Sequence, residues 1–148
     1  MPKLSIIIPT YKQPETLRQS LKSVLAQTYT DFEIIVIDDA SRDQTETVVK
    51  EMNDERIKYL CHDNNRGIGA ARNTGIKAAK GEYIAFQADD TLWRKDKLAR
   101  QLPVLEKTPF KIAAVYSGPN HEGDLSEKLP WGNFIPLETV LVRKEALL

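Results

Sequence analysis

The sequence predicts an α/β domain, a mainly parallel sheet flanked by helices. Two patterns point there. Short, apolar, β-branched runs alternate with segments whose apolar residues recur at helical spacing, as in successive strand–helix–strand units. The size also fits: 148 residues, 41% hydrophobic and 28% charged, make one domain with its own core.

Taken in order, Leu4 to Ile8 is a buried strand that Pro9 should close. Pro14 suits a first helical position, and Leu17, Leu21, Val24 and Leu25 form one apolar stripe. Phe32 to Ile37 is a second strand, ending at Asp38-Asp39. A second helix follows the Ser41-Arg42-Asp43 turn and turns Val48, Val49 and Met52 inward. Arg56 to Cys61 reads as a third strand and Gly67 to Ala79 as a helix of small residues. Glu82 to Phe86 is a fourth strand, leading to Ala88-Asp89-Asp90. Leu98, Leu102 and Leu105 mark a fourth helix, with a kink or break expected near Gln101 because of Pro103. Lys111 to Tyr116 reads as a fifth strand, Gly118 to Pro130 as a polar loop, and Phe134 to Val142 as a further strand.

Several classes are excluded at the same level. Lys+Arg and Asp+Glu both total 21, a balance that argues against a nucleic-acid coat or an acidic tail. The single cysteine, Cys61, allows no internal disulfide and fits a reducing compartment. It reads as core packing. With two histidines, His62 and His121, it cannot supply a tetrahedral zinc site. Both histidines lack evident triad partners and read as surface residues. No run approaches the roughly 20 apolar residues of a transmembrane helix, and the N-terminal apolar run is too short for a signal peptide. The expectation is a cytoplasmic protein.

In parallel sheets the ligand crevice lies at the carboxyl ends of the strands. Pro9-Thr10-Tyr11, Asp38-Asp39 and Asp89-Asp90 all stand at such ends. Two adjacent carboxylates after an apolar strand are costly unless donors or a cation compensate, and a hard divalent ion would do so. The alternative is a solvated turn capping a helix. Asp39 could accept from a base N–H or a ribose hydroxyl, or belong to its turn. Tyr11 could stack on a base or pack on the surface. Arg72 could approach a phosphate or make a surface ion pair. Gly67-Ile68-Gly69 does not complete a dinucleotide fingerprint, since Arg72 stands where the third glycine belongs.

Four ordered blocks then resemble family 2 glycosyltransferases: Ser5 to Tyr11; Ser23 to Tyr29 with Phe32 to Ser41; Asn65 to Gly75; and Gly81 to Asp90. The likeness covers roughly residues 3 to 116. It implies a GT-A, Rossmann-like nucleotide-diphospho-sugar transferase fold, a UDP-sugar or related donor, and a Mg²⁺ or Mn²⁺ ion. By the resemblance, Pro9 and Tyr11 line the base pocket, Asp39 accepts from the uracil N–H or another base edge, Asp89 holds the ribose, and Asp90 binds the metal. Direct displacement by an acceptor hydroxyl, on a glycan or a lipid-linked sugar, would invert the anomeric carbon.

Two positions depart from the family pattern. Lys12 replaces the usual Asn and could reach a phosphate, and Gln87 stands where the metal block often begins with Asp. The family's general base lies on a later segment, beyond Leu148. None of Asp96, Glu106, Glu122, Asp124, Glu127 or Glu138 is convincing in its place. The expectation is therefore one α/β domain truncated at its C-terminus. Residues 1–116 would form the donor-binding part and 117–148 the start of the acceptor side, with the full-length protein peripheral to the membrane. The competing readings are a non-catalytic nucleotide-sugar-binding fragment and a receiver-type signalling domain. The latter would need its acidic pair after the first strand, where Pro9-Thr10-Tyr11 stands.

Overall fold

The computed structural model describes residues 1–109, 113–116 and 137–147. Its strands are β1 (Leu4–Thr10), β2 (Phe32–Asp38), β3 (Ile57–Cys61), β4 (Tyr83–Phe86), β5 (Ala114–Tyr116) and β6 (Val140–Arg143). Its helices are α1 (Pro14–Leu25), α2 (Thr45–Glu51), α3 (Ile68–Ala78) and α4 (Lys97–Lys107). The strands make one sheet in the order β3-β2-β1-β4-β6-β5. β1 pairs in parallel with β2 and β4, and β2 with β3; β6 then runs antiparallel to both β4 and β5.

The pleat divides the apolar residues of β1 between two cores. Leu4, Ile6 and Ile8 join Leu17, Leu21 and Val24 of α1, Val49 of α2, and Leu98, Leu102 and Leu105 of α4. Ile7, with Ile35 and Ile37 of β2, packs with Ala71 of α3 on the opposite face. The small residues of α3 let it lie close to the sheet: a Cβ at Gly75 would come within 2.5 Å of Ile7 Cγ2. That approach fixes the start of α3 beside the ends of β1 and β2.

Several expectations need correction. β1 does not stop before Pro9 but continues to Thr10, with Pro9 opposite Ile37. The Ile7 carbonyl accepts from Gln87 N–H on the β4 side, and the Thr10 carbonyl from Asp39 N–H on the β2 side. Alternation turns Pro9 toward β4, which has already ended at Phe86, so its missing N–H interrupts no ladder bond. α4 is not broken at Gln101. Pro103 removes one N–H, but it and Ala99, whose carbonyl loses that partner, are both exposed to solvent. Cys61 is exposed rather than packed, because β3 is an edge strand. Residues 137–139, expected in a strand, form a 3₁₀ turn before β6. Lys111 and Ile112, the Gly118 to Pro130 loop with His121, Glu122, Asp124 and Glu127, and residues 134–136 lie outside the described residues.

Candidate functional site at the carboxyl ends of the strands

The parallel register brings the three sequence features together. Thr10 stands opposite Asp38, and Asp39 N–H donates to the Thr10 carbonyl at 2.9 Å. From the other side, Thr10 Oγ1 donates to Asp89 Oδ2 at 2.6 Å. Thr10 thus joins the two acidic turns, though they are far apart in sequence. Above this edge opens a cavity of about 320 Å³ lined by Pro9, Tyr11, Asp39, Gly67, Ala71 and Asp89, among others.

The Asp38-Asp39 pair splits into two roles. Asp38 turns inward, accepting from Ser41 N–H at 2.8 Å, from the Ser41 hydroxyl, and from Tyr59 OH at 2.6 Å. Burial and the Asp38 carboxylate together push the Tyr59 phenol above its ordinary range. Asp39 borders the cavity but is itself 4% exposed. It accepts from Arg66 N–H at 2.9 Å and Gly67 N–H at 2.7 Å, and its Oδ1 lies 2.7 Å from His62 Nδ1. Burial alone would raise its pKa. The bonds from Arg66, His62 and Gly67 outweigh that cost and hold it below the usual carboxylate value. Gly67 adopts φ +84°, a left-handed conformation that glycine takes without a Cβ penalty, as the chain turns from this wrap into α3.

The Asp89-Asp90 pair differs in kind. Asp89 is half-buried, and desolvation pushes its pKa up, aided by the neighbouring Asp90 charge; the bonds from Thr10 and Tyr11 N–H oppose this only in part. Asp90 is exposed and accepts no hydrogen bond from the described residues, and neither acid has a Lys or Arg ion-pair partner among them. Gln87 faces inward at 1% exposure. Its Nε2 donates to Ser20 Oγ and the Thr91 carbonyl, while its Oε1 accepts from Thr91 Oγ1. Gln87 therefore braces the acidic turn from below. Two oxygen-donor acids without a counter-charge are the donor chemistry that a hard divalent ion takes. Among the described residues no cluster of three His, Cys, Asp or Glu forms.

The remaining candidates fall around the same edge. Tyr11 is 41% exposed and borders both this cavity and a neighbouring one of about 580 Å³. Lys12 lines only the second of these, with φ +55° and its amine 5.1 Å from the centre of the Tyr11 ring. Arg72 follows Ala71, a lining residue, and carries a buried Nε with no hydrogen-bond partner among the described residues. Asp90 stands next to the lining acid Asp89 without lining the cavity itself. Asp96 pairs with Arg94 and Arg100, and Glu106 with Lys3.

His62 and Thr10 were not singled out as site residues from the sequence. His62 is not a surface residue: its side chain is 7% exposed, and Nε2 lies 2.9 Å from Thr74 Oγ1. A signal was available. His62 directly follows β3, so it stands at the same strand edge as Asp38, whose carbonyl accepts its N–H.

Comparison with known proteins gives the family and the fold. The sequence model of Glycosyl transferase family 2 matches residues 5–139. The Escherichia coli UDP-Glc:alpha-D-GlcNAc-diphosphoundecaprenol beta-1,3-glucosyltransferase WfgD is 42% identical over 70% of this chain, which spans 41% of WfgD. An uncharacterized glycosyltransferase of Rickettsia conorii is 42% identical over 89% of the chain, which spans 22% of that protein. Among solved structures, S. aureus TarS in complex with UDP superposes with a TM-score of 0.80 at 25% identity, covering 98% of this chain and 48% of the other. The Pyrobaculum calidifontis mannosyltransferase PcManGT, in complex with GDP-Man and Mn²⁺, gives 0.82 at 22% identity, with 99% and 46% coverage. The chain therefore spans less than half the length of these relatives. Its fold is the GT-A fold, and the chain belongs to glycosyl transferase family 2.

Proposed function

We propose that this chain forms the donor-binding part of an inverting glycosyltransferase that uses a UDP-sugar and a divalent ion. The observation that carries the reading is the meeting of Asp39, Asp89 and Pro9-Thr10-Tyr11 around one cavity at the carboxyl ends of β1, β2 and β4. In this reading Pro9 and Tyr11 hold the base, Asp39 accepts its N–H, and Asp89 accepts from the ribose. Arg72, with its unpaired Nε, and Lys12 offer positive charge to the donor. Asp90 holds Mg²⁺ or Mn²⁺.

The chemistry follows from charge. Transfer breaks the bond between the anomeric carbon and the diphosphate oxygen, and negative charge grows on the departing nucleoside diphosphate. A bound divalent ion supplies Lewis-acid stabilisation of that charge. The chain's own residues bind and orient the donor; the two acids lining the cavity, Asp39 and Asp89, are both assigned to the nucleoside. The base that deprotonates the acceptor hydroxyl is accordingly assigned outside the described residues. Attack opposite the leaving group inverts the anomeric carbon.

WfgD is named for transfer to a diphosphoundecaprenol-linked sugar. By analogy we propose a lipid-linked or other glycan acceptor and a cytoplasmic protein working at the membrane surface. Calorimetric titration with UDP against 2′-deoxy-UDP, both with Mg²⁺, tests the donor reading. UDP should bind, and loss of the 2′-hydroxyl should weaken binding in the wild type but not in Asp89→Ala. No heat with UDP at millimolar concentration would reject the reading.

A further inference from the structure

His62 is buried, polar and unused by the proposed chemistry, yet both of its ring nitrogens are engaged. Nδ1 lies 2.7 Å from Asp39 Oδ1 and Nε2 lies 2.9 Å from Thr74 Oγ1. An ionised carboxylate accepts only, so Nδ1 carries the proton of that bond. In the neutral imidazole Nε2 is then an acceptor, and the Thr74 hydroxyl donates to it. Thr74 belongs to α3 and His62 follows β3, so the ring is clamped between two elements and its tautomer is set.

Counting lone pairs on Asp39 gives the consequence. Oδ1 takes His62 Nδ1–H and Arg66 N–H at 2.9 Å, which fills it. Oδ2 takes Gly67 N–H at 2.7 Å and a longer share of Arg66 N–H at 3.1 Å. Oδ2 is thus the oxygen with acceptor capacity left. We propose that His62 is a positioning residue for nucleotide selection: by occupying Oδ1 it leaves Asp39 one directed acceptor, on Oδ2, suited to a base bearing an imide-type ring N–H.

Uracil presents such an N–H at N3. Cytosine presents a lone pair at N3 that a carboxylate repels. The proposal rests on the donor reading above and deepens it, adding a residue that acts through Asp39 without touching the nucleotide.

The test is a calorimetric comparison of UDP and CDP, with Mg²⁺, on the wild-type chain and three His62 variants, with the melting temperature of each recorded. His62→Phe keeps a ring but no donor. His62→Asn can place an amide N–H near the Nδ1 position, and His62→Gln near the Nε2 position. The wild type should prefer UDP. His62→Phe and His62→Gln should lose roughly tenfold in UDP affinity, a charge-assisted bond's lower bound, and most of the UDP-over-CDP preference. His62→Asn should retain the preference even if its melting temperature falls. Should His62→Phe fail to fold, the contrast between His62→Gln and His62→Asn carries the same decision. A preference unchanged in all variants, or UDP and CDP weakened alike with no rescue by Asn, overturns the proposal. If the wild type binds UDP but does not prefer it over CDP, the proposal fails and the donor reading stands. If it binds neither nucleotide, the donor reading fails first.

Discussion

The two acidic pairs at the sheet edge have the same sequence, Asp-Asp after an apolar strand, and opposite electrostatics. Asp38 and Asp39 are buried and held by fixed donors: three converge on each, from Ser41 and Tyr59 on one and from His62, Arg66 and Gly67 on the other. Asp89 and Asp90 share one side-chain donor, Thr10, and their mutual repulsion goes uncompensated by any cation among the described residues. The fold stabilises the first pair internally and leaves the second to be completed from outside. A carboxylate already solvated by fixed N–H groups is preorganised to read a neutral edge, and a bare pair suits a cation.

The largest expected effect comes from removing the donor-held acid. Asp39→Ala should lower stability by about 3 kcal/mol, because it strands the Arg66 and Gly67 N–H groups and the His62 N–H. Asp90→Ala, on the bare pair, should change urea-unfolding stability by less than about 0.5 kcal/mol. Equal losses in the two variants would break the comparison.

Next comes the brace beneath the bare pair. Gln87→Leu removes the bonds to buried Ser20 and half-buried Thr91 and puts no polar group in their place. A loss of about 2 kcal/mol in chemical denaturation is expected, together with weaker UDP binding in Mg²⁺. Unchanged nucleotide affinity would mean that Gln87 does not shape the acidic turn.

The pairs should also differ in the sign of their pH dependence. Asp39 is held below its ordinary value of 3.8, so its stabilisation is present above that pH and is lost as pH falls through the lower folded value. Asp89 is raised above 3.8, so the folded state holds its proton more tightly. Its effect runs the other way, with stability declining as pH rises from 3.8 through the raised value. Urea-unfolding midpoints against pH, for wild type minus Asp39→Asn and wild type minus Asp89→Asn, should slope in opposite directions. Slopes of one sign would contradict the contrast.

Much of this edge was legible in the sequence. β-branched runs ending in Asp-Asp mark strand ends, and parallel topology alone gathers such ends. Which acid of the first pair faces the cavity is not set by the local pattern; only the family resemblance singled out Asp39, which does line it. That depends on the pleat and on the wrap of residues 62–67, which arrives from another strand. His62 was missed for a related reason: a histidine's partners come from tertiary neighbours, here β2 and α3. Pro9 was misjudged because its harmlessness depends on how short β4 is. Both concern contacts between elements, which local pattern does not encode.

A small stabilising effect sharpens the description of the first turn. Ala40, just after Asp39, has φ +66°, where an L-residue pays a steric cost that glycine avoids. Glycine's extra freedom in the unfolded chain offsets part of the gain. Ala40→Gly should therefore stabilise by about 0.5 kcal/mol, read as a small rise in melting temperature with UDP affinity unchanged.

The bare pair carries the central claim, and its response to metal tests it most directly. UDP binding to wild type and Asp90→Asn should be titrated in Mg²⁺ and again in EDTA. The account predicts wild-type affinity at least roughly tenfold higher in Mg²⁺ than in EDTA, the scale of one or more charge-assisted contacts, with Asp90→Asn nearly indifferent to the ion. Equal wild-type affinity in the two conditions, or full Mg²⁺ dependence surviving in Asp90→Asn, would contradict it.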